Sequence, residues 1–501
     1  MPILLCTPAY AEESESECWA VIVGVSHYKS PKIRDAPGCA GDAGRLFHQL
    51  SPIWGDEHFQ LLLDSEASKS EIQVAVDWLV SNEDANDTVL FYFAGHGDRG
   101  YIAPYDAYYE RTWISSGELS RWLYPLESES VVIILDTCHA AAFNNELSDS
   151  GRVVLASSHA DELSYSGPIQ DEVHGIFSYY LLEALSEFSI TDANRDYEIS
   201  AEELFQYAGP KTVSETTDFY MGGELQDPQH PVLSDDYADE LSLLMKFIFK
   251  TEPSLPSGSE ILVLDNKTYS SAPPEFTWAP GSVHDLTILS SRDTGRSTRY
   301  VFTSWNDGDT SVSRAISHGG VYTANYKTQH QLVIESAYGE PEGQGWYDAG
   351  STATISVTSI EEPATRHIFT GWSGDYSGDT ATASVVMSSP KAITANWRTD
   401  YRLAIESTYG QPAGEGWYES GSTVTISVAP IEGSIIRQVF TGWSGDFSGD
   451  TATASLTMDS PKAITANWRT DYTRLYVLIG LIVLIAAING GLRMRRRKKV
   501  T

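Results

Sequence analysis

Two stretches decide the fold: Asp87–Gly97 reads DTVLFYFAGHG, and Ser130–Ala142 reads SVVIILDTCHAAA. Each begins with a short run of apolar, β-branched and aromatic residues and stops at a reactive side chain, His96 in one and Cys138 in the other. Such runs, bounded by polar residues, are typical of strands buried on both faces of a parallel sheet. Because open α/β sheets place their sites beyond the carboxyl ends of the strands, the sequence predicts that the imidazole and the thiol share one crevice.

A cysteine beside a histidine is the pair of side chains required for catalysis by a nucleophilic thiol. A free thiol has a pKa of about 8.5 and attacks poorly until a base takes its proton. His96 can accept that proton and later give it to a leaving amine. The N–H groups of Gly97 and Cys138 are the candidate oxyanion donors. The alternative is a buried structural cysteine beside a loop histidine, but the matched strand ends favour catalysis.

Strands and helices alternate along the first half of the chain, which predicts an α/β domain with a mostly parallel sheet and helices on both faces. The further predicted strands are Trp19–Val25, Phe59–Leu63 and Arg152–Ala156. The predicted helices are Gly38–Leu50, Ser70–Val80, Ser116–Tyr124 and Gly175–Leu185. The domain is expected to span residues 17–246, followed by a Pro/Ser linker at 247–259.

Residues 17–246 resemble the caspase-like cysteine peptidases, and the metacaspase branch more than the true caspases. The resemblance is carried by WAVIVGVSHY (Trp19–Tyr28), GCAGDA (Gly38–Ala43), YFAGHG (Tyr92–Gly97), LDTCH (Leu135–His139), ASS (Ala156–Ser158) and HGIFSYYLLEAL (His174–Leu185). It implies the caspase–haemoglobinase fold and a dyad of Cys138 with His96 that requires no cofactor.

The resemblance also implies a substrate pocket. Where true caspases carry an arginine that binds a P1 aspartate, this chain has Ala36. Metacaspases line the pocket with acids, and their motif positions match Asp42 and Asp136, with Cys39 close by. Two carboxylates in a narrow pocket would pair with an Arg or Lys side chain, so cleavage after basic residues is expected. The alternatives are a helix-terminus carboxylate for Asp42 and a brace of the cysteine loop for Asp136. Ala94 stands where the family often has serine, which removes one polar wall of the pocket.

A 12-residue stretch fits the pattern of an EF-hand calcium loop. The predicted ligands are Asp192, Asn194, Asp196, the carbonyl of Glu198, Ser200 and Glu203. Tyr197 stands where glycine is usual. The sequence therefore predicts a Ca²⁺ site, and a solvated acidic loop is the alternative.

The second half of the chain is repetitive. FTGWSGDYSGDTATAS at Phe369 recurs as FTGWSGDFSGDTATAS at Phe440, 71 residues later. Alternating stretches such as Thr423–Val428 predict small all-β modules. Two modules are expected at 329–398 and 399–470, after a degenerate copy at 260–328. They resemble the divergent internalin-B-type repeats of prokaryotic cell-surface proteins, which implies a stalk or an adhesive surface without activity.

The ends of the chain point to a membrane. Leu475–Leu492 is about 18 apolar residues, just long enough to span the hydrocarbon core of a bilayer. The basic tail at 493–501 follows at once, and positive flanks stay in the cytoplasm. The peptidase and the repeats are therefore expected outside. Residues 1–11 end in Ala-Tyr-Ala, which predicts a truncated signal peptide.

Composition narrows the function further. The net charge is −35 and the one strong basic cluster is that tail, which excludes nucleic acid as a partner of the body of the protein. Four cysteines make no disulfide framework, although Cys18 and Cys39 could pair outside the cell. The sequence thus predicts a membrane-anchored, outward-facing cysteine endopeptidase acting on protein or peptide substrates. The alternatives are a legumain-like asparaginyl peptidase or transpeptidase, and a non-catalytic surface adhesion protein on a caspase-like scaffold.

Overall fold

The computed structural model describes residues 16–108, 112–148, 151–223, 227–255, 262–269, 275–288, 291–293, 295, 297–431 and 435–497. The predicted signal peptide lies outside the described residues. The chain divides into two compact units. The first comprises Met1–Ser290 with Phe302–Tyr326, and the second comprises Ser291–Val301 with Lys327–Thr501.

A six-stranded sheet forms the centre of the first unit. Its strands are β1 (Cys18–Gly24), β2 (Phe59–Leu63), β3 (Thr88–Ala94), β4 (Ser130–Asp136), β5 (Arg152–Ala156) and β6 (Val232–Asp235). They lie in the order β6-β5-β4-β3-β1-β2, and only β6 runs antiparallel to its neighbour. Every residue of β1 and β3 is buried, as expected for strands covered on both faces. The predicted mostly parallel sheet is confirmed.

The helices form two groups that cover the sheet. The bounds are α1 (Cys39–Trp54), α2 (Lys69–Asn82), α3 (Ser116–Leu123), α4 (Ile176–Ser186) and α5 (Ala201–Met221), with short helices at Asn144–Leu147 and Phe188–Thr191. Helix α4 packs against both α1 and α5, whereas α2 packs against α3. Helix α3 begins with a reciprocal capping box between Ser115 and Glu118, which satisfies two N–H groups that a helix start leaves free.

The rest of the first unit is built from shorter strands and one long one. They are Gly97–Asp98, Tyr101–Ile102, Ile114–Ser115, Ser166–Ile169, Glu172–Gly175, Glu198–Ser200, Ser242–Glu252, Leu262–Leu264, Lys267–Tyr269, Phe276–Trp278, His284–Ile288 and Ser313–Ile316. The predicted domain boundary at 246/247 falls inside Ser242–Glu252. That strand continues because it pairs with Phe276–Trp278 and with the first part of Gly320–Ser336.

The second unit contains two copies of a β module. The first has strands Gly345–Asp348, Thr352–Ser356, Ile360–Glu361, Thr365–Gly374 and Thr382–Val386, and the second has Gly416–Glu419, Thr423–Ser427, Arg437–Gly445, Thr453–Thr457 and Lys462–Asp471. Strand Ser291–Asp293 and the first part of strand Thr298–Trp305 precede them. Each copy buries one tryptophan of the repeated motif, Trp372 or Trp443, in its own core. The indole N–H of each donates to a backbone carbonyl eight residues on, at 2.9 and 3.0 Å.

One 17-residue strand, Lys391–Ser407, belongs to both copies, and we call it the shared strand. Its first five residues, Lys391–Ala395, pair in parallel with Leu332–Ser336, and its last five, Leu403–Ser407, pair in parallel with Lys462–Ala466. The modules are therefore joined by a continuous backbone ladder and not by a loop.

The chain ends in an α-helix, Thr473–Arg497. The most apolar 18-residue stretch of its segment Thr473–Met494 has a mean hydropathy of 2.4, and this is the one helix in the described part of the chain that is long and apolar enough to cross a membrane. This agrees with the apolar segment predicted at 475–492. Residues 498–501 of the basic tail lie outside the described residues.

Candidate active site

The sheet register brings the two reactive side chains to one edge. Strands β3 and β4 are parallel neighbours, with Ala94 opposite Asp136. His96 and Cys138 therefore each lie two residues beyond a paired position. The N–H of Gly95 donates to the carbonyl of Asp136 at 3.2 Å, which continues the ladder past the strand ends.

The loops that follow the two strands are in direct backbone contact. A Cβ atom added to Gly97 would lie 2.2 Å from Oγ1 of Thr137 and 3.0 Å from the carbonyl oxygen of Cys138. Real Cβ contacts do not approach 3.0 Å, so only glycine fits. Gly97 also pairs with Ile102 in the small antiparallel sheet. The glycine after the imidazole thus sets how closely the histidine loop approaches the cysteine loop.

Two contacts orient His96. Its Nε2 lies 2.8 Å from the main-chain carbonyl oxygen of Arg34, and its backbone N–H donates to the hydroxyl of Tyr28 at 2.7 Å. The Tyr28 ring also stacks on the imidazole, with centroids 5.2 Å apart. Because a carbonyl only accepts, Nε2 carries the proton, and in the neutral ring Nδ1 holds the free lone pair.

The thiol of Cys138 is partly buried and protonated. Its Sγ lies 3.6 Å from the carbonyl oxygen of Ser164, which accepts the S–H. Burial raises the pKa of Cys138, and the negative charges of Asp136 and Asp98 raise it further. Within the described residues His96 and Cys138 share no hydrogen bond, since each is held by a separate carbonyl. The thiol is therefore protonated at rest and is not yet hydrogen-bonded to the imidazole.

His139 follows the thiol but is held elsewhere. Its backbone is left-handed, with φ of 58°. Its Nδ1 lies 3.1 Å from the carbonyl oxygen of Ala160, and its Nε2 lies 3.8 Å from Asp98. Both ring nitrogens of His139 therefore already face other groups.

The predicted pocket residues lie together beside the thiol. Burial raises the pKa of Cys39 well above its usual range, and the nearby carboxylates of Asp136 and Asp42 add to that effect. Gly175 lies between the two acids, since a Cβ there would be 2.3 Å from Oδ2 of Asp136 and 3.6 Å from Oδ2 of Asp42. Both carboxylates are buried. The structure thus gathers Cys39, Asp42 and Asp136 into one cluster.

Several residues of this site were not singled out as functional in the sequence. The Arg34 carbonyl could not be predicted from the sequence, because its contact with His96 uses a main-chain atom that every residue carries. Tyr28 and His174 lie inside motifs that matched the caspase-like family, but nothing in their spacing assigned them a role. Ser164 joins the thiol to the pocket: its carbonyl accepts from Cys138, and its hydroxyl donates to Asp136 at 2.7 Å.

The predicted calcium loop has part of the expected geometry. Tyr197, at the usual glycine position, has φ of 71° and so makes the left-handed turn. Glu203 is buried, and its Oε1 accepts from the N–H groups of Ala193 and Asn194 at 2.7 and 3.3 Å. Oδ1 of Asp192 is buried without a hydrogen-bond partner in the described part of the chain. Within that same part, no three acidic, histidine or cysteine side chains are gathered closely enough to hold a metal ion.

A thiol and an imidazole at the ends of neighbouring parallel strands define the class: an α/β domain of the cysteine peptidase type. Residues 17–233 match the family model described as "Caspase domain". Residues 331–400 and 401–471 each match "Divergent InlB B-repeat domain". The first unit therefore contains a caspase-like domain of a cysteine peptidase family, and the repeats are of the divergent internalin-B type. Both predicted resemblances are confirmed.

Solved structures similar to the chain include caspase-1 from Spodoptera frugiperda, at 14% identity over 48% of this chain and 94% of that one, with a TM-score of 0.34. Protein GSU0716 from Geobacter sulfurreducens is also 14% identical, over 45% of this chain and 95% of its own, with a TM-score of 0.32. No curated protein sequence is matched. The family assignment rests on the matched domain model.

Proposed function

We propose that the caspase-like domain is a cysteine endopeptidase that cleaves protein or peptide chains after Arg or Lys. The observation that carries the proposal is the meeting of the Cys138 and His96 loops at one sheet edge, with the imidazole oriented by the Arg34 carbonyl at 2.8 Å. That contact leaves Nδ1 as the base. A second support is the pair of buried acids beside the thiol, which suits a cationic P1 side chain.

The reaction follows from these protonation states. Sγ of Cys138 attacks the scissile carbonyl carbon while its proton passes to Nδ1 of His96, because the thiol is neutral at rest. The N–H groups of Gly97 and Cys138 stabilise the oxyanion. The tetrahedral adduct collapses, the C–N bond breaks, and the imidazolium protonates the leaving amine. Water, deprotonated by His96, then hydrolyses the thioester and restores the thiol.

The test is peptide cleavage by the detergent-solubilised full chain. A library that varies P1 is expected to give turnover at Arg and Lys, which Cys138→Ala abolishes and the matched Cys18→Ala retains. Preference for Asn or Asp at P1 would replace the proposed specificity with that of a legumain-like or caspase-like enzyme. Absence of turnover together with an unreactive Cys138 towards a thiol label would favour an adhesion scaffold.

We also propose that the C-terminal helix anchors the protein in a membrane, with the peptidase and repeats outside and the tail in the cytoplasm. The support is the apolar segment Thr473–Met494 followed by a cluster of arginines and lysines. Protease protection in intact cells tests this orientation. Digestion of the repeats by external protease, with the tail protected, is expected, and the reverse pattern would overturn it.

We propose further that the loop at 192–203 binds Ca²⁺ weakly. The supports are the left-handed turn at Tyr197 and the unpartnered Oδ1 of Asp192. Glu203 would exchange its bonds to backbone N–H groups for the ion. Calorimetric titration of the full chain with CaCl₂ is expected to show heat that Asp196→Asn removes and the exposed control Asp239→Asn keeps. Equal heats in both variants would exclude this loop.

A further inference from the structure

In the second unit, an arginine of one repeat is covered by a tryptophan of the next. Arg366, in the first copy of the β module, donates its Nε and Nη2 to Oδ2 of Asp400 at 3.2 and 2.9 Å. Trp417, in the second copy, lies over this guanidinium, with its ring centroid 4.9 Å from Cζ. Arg299 and Trp346 form the same contact one repeat earlier, at 4.6 Å. Both guanidinium groups are therefore covered by the protein itself.

The equivalent arginine of the second copy is open. The chain there passes into the apolar helix, and Arg437, 71 residues after Arg366, donates its Nε to Oδ2 of Asp471 at 2.9 Å. The other oxygen of Asp471 accepts from the N–H of Thr473, the first residue of the helix, at 2.9 Å. Among the described residues, no aromatic ring covers Arg437 and its two Nη groups have no hydrogen-bond partner. Its remaining N–H donors are therefore available to a ligand.

Arg437 lines a cleft together with a second available cation. Arg474, in the first turn of the helix, is exposed and borders the same cleft, which has a volume of about 590 Å³. The cleft is also lined by the aromatic side chains of Phe440 and Trp468 and by Asp450. Neither Arg474 nor Asp450 forms an ion pair or a side-chain hydrogen bond within the part of the chain that the structure describes. The cleft thus combines two guanidinium groups, one unpaired carboxylate and an apolar surface.

This cleft lies at the outer end of the proposed membrane anchor. Arg474 is the second residue of the apolar segment Thr473–Met494. Tyr472 and Tyr476 lie on either side of it in the sequence and are 45% and 68% exposed. Tyrosine is enriched where a membrane protein meets the lipid headgroups, because its ring is apolar and its hydroxyl is hydrated. With the helix in a bilayer, the cleft is therefore at the depth of the outer headgroups.

We infer that this cleft binds the headgroup of a zwitterionic phospholipid of the outer leaflet, a step that rests on the proposed membrane anchor. The lipid phosphate accepts from the Nη groups of Arg437 and from Arg474, since guanidinium groups bind phosphate through several N–H donors. Asp450 pairs with the ammonium group, and Phe440 and Trp468 contact the glycerol and the first methylenes. The net charge of −35 disfavours a headgroup with a net negative charge.

The test is calorimetric titration of the detergent-solubilised full chain with dihexanoylphosphatidylethanolamine, kept below its micelle concentration. Saturable binding is expected, and its absence would overturn the inference. Arg474→Gln and Arg437→Gln are each expected to weaken binding at least about tenfold, because each removes charge-assisted hydrogen bonds to the phosphate. Arg474 is exposed, so its substitution keeps the fold even if loss of the Arg437–Asp471 pair does not. The matched control is Arg402→Gln, an exposed arginine 3.9 Å from Glu415 outside the cleft, which is expected to bind as the wild type does.

Two further ligands separate the possible sources of the phosphate. Dihexanoylphosphatidylglycerol, which lacks the ammonium group, is expected to bind more weakly than the ethanolamine lipid to the wild type and about equally to Asp450→Asn. Inorganic phosphate alone is expected to give no saturable heat. Tighter binding of the glycerol lipid, equal binding of inorganic phosphate, or full affinity in both arginine variants would overturn the inference. Release of the chain from cell membranes by alkaline carbonate would instead remove the proposed anchor, which the titration with soluble lipids does not require.

Discussion

Replacing Tyr28 with phenylalanine tests how the imidazole of His96, the proposed base, is held. The Tyr28 hydroxyl accepts from the backbone N–H of His96 at 2.7 Å, and its ring stacks on the imidazole. Tyr28→Phe keeps the ring and removes only the acceptor. Leaving a partly buried N–H without a partner costs about 1–3 kcal/mol. For a domain of this size, each kcal/mol lowers the melting temperature by about 2–4 °C.

The same loss is expected to appear in catalysis. If about 1.4 kcal/mol of it falls on the orientation of His96 in the transition state, kcat drops about tenfold while KM stays the same. Burial raises the pKa of Tyr28, so the hydroxyl stays protonated across the assay range. The measurement is kcat and KM on a fluorogenic P1-Arg peptide, with melting followed by circular dichroism.

Tyr101→Phe is the matched control, because Tyr101 is 40% exposed and lies on the adjacent small strand. It is expected to change neither kcat nor the melting temperature. Wild-type kcat in Tyr28→Phe, or a rise in KM alone, would refute the view that this hydroxyl positions the base.

Three further perturbations follow from the structure. Because burial raises the pKa of Cys138, its alkylation by iodoacetamide should accelerate continuously up to pH 9, and a plateau below pH 8 would contradict a neutral thiol. Gly97→Ala should abolish turnover, since its methyl would overlap a neighbouring hydroxyl, while Gly117→Ala, with open space around it, should be silent in the same peptide assay. Asp400 is buried between Arg366 and Arg398, which hold its pKa below the usual range. This stabilisation is complete above the unfolded pKa of about 3.9 and is lost as the pH falls through the folded value, so Asp400→Asn should lower the melting temperature at pH 7 more than at pH 3.

Strand patterning predicted the meeting of the two reactive groups. Parallel neighbours end at the same edge, so two buried runs that each stop just before a reactive residue imply one crevice, and the register of β3 and β4 has that form. The contacts that orient His96 and the pocket acids, in contrast, could not be predicted from any pattern in the sequence. The Arg34 carbonyl is main chain, 62 positions from His96, and the partners Asp42 and His174 are 132 positions apart.

At two places, pairing between strands far apart in the sequence determines a backbone feature that local sequence does not predict. Tyr197 stands where glycine is usual, yet its backbone is left-handed, and it lies next to Glu198–Ser200, which pairs with the long strand Ser242–Glu252. The same long strand extends past the predicted domain boundary for the same reason. The change in composition near residue 247 indicates a new domain. The end of the strand Ser242–Glu252, however, is set by its pairing with Phe276–Trp278 and with the first part of Gly320–Ser336, which lie farther along the chain.

The shared strand has a mechanical consequence. Its two ends, Lys391–Ala395 and Leu403–Ser407, pair in parallel with different neighbouring strands, so a pull along the shared strand would load those backbone hydrogen bonds side by side in shear. Backbone hydrogen bonds under shear must break together. We therefore expect that one module does not unfold under force while the other stays intact. Excising a single module at 400/401, the boundary of the two matched repeats, would cut through the middle of that strand and leave each fragment with a frayed half.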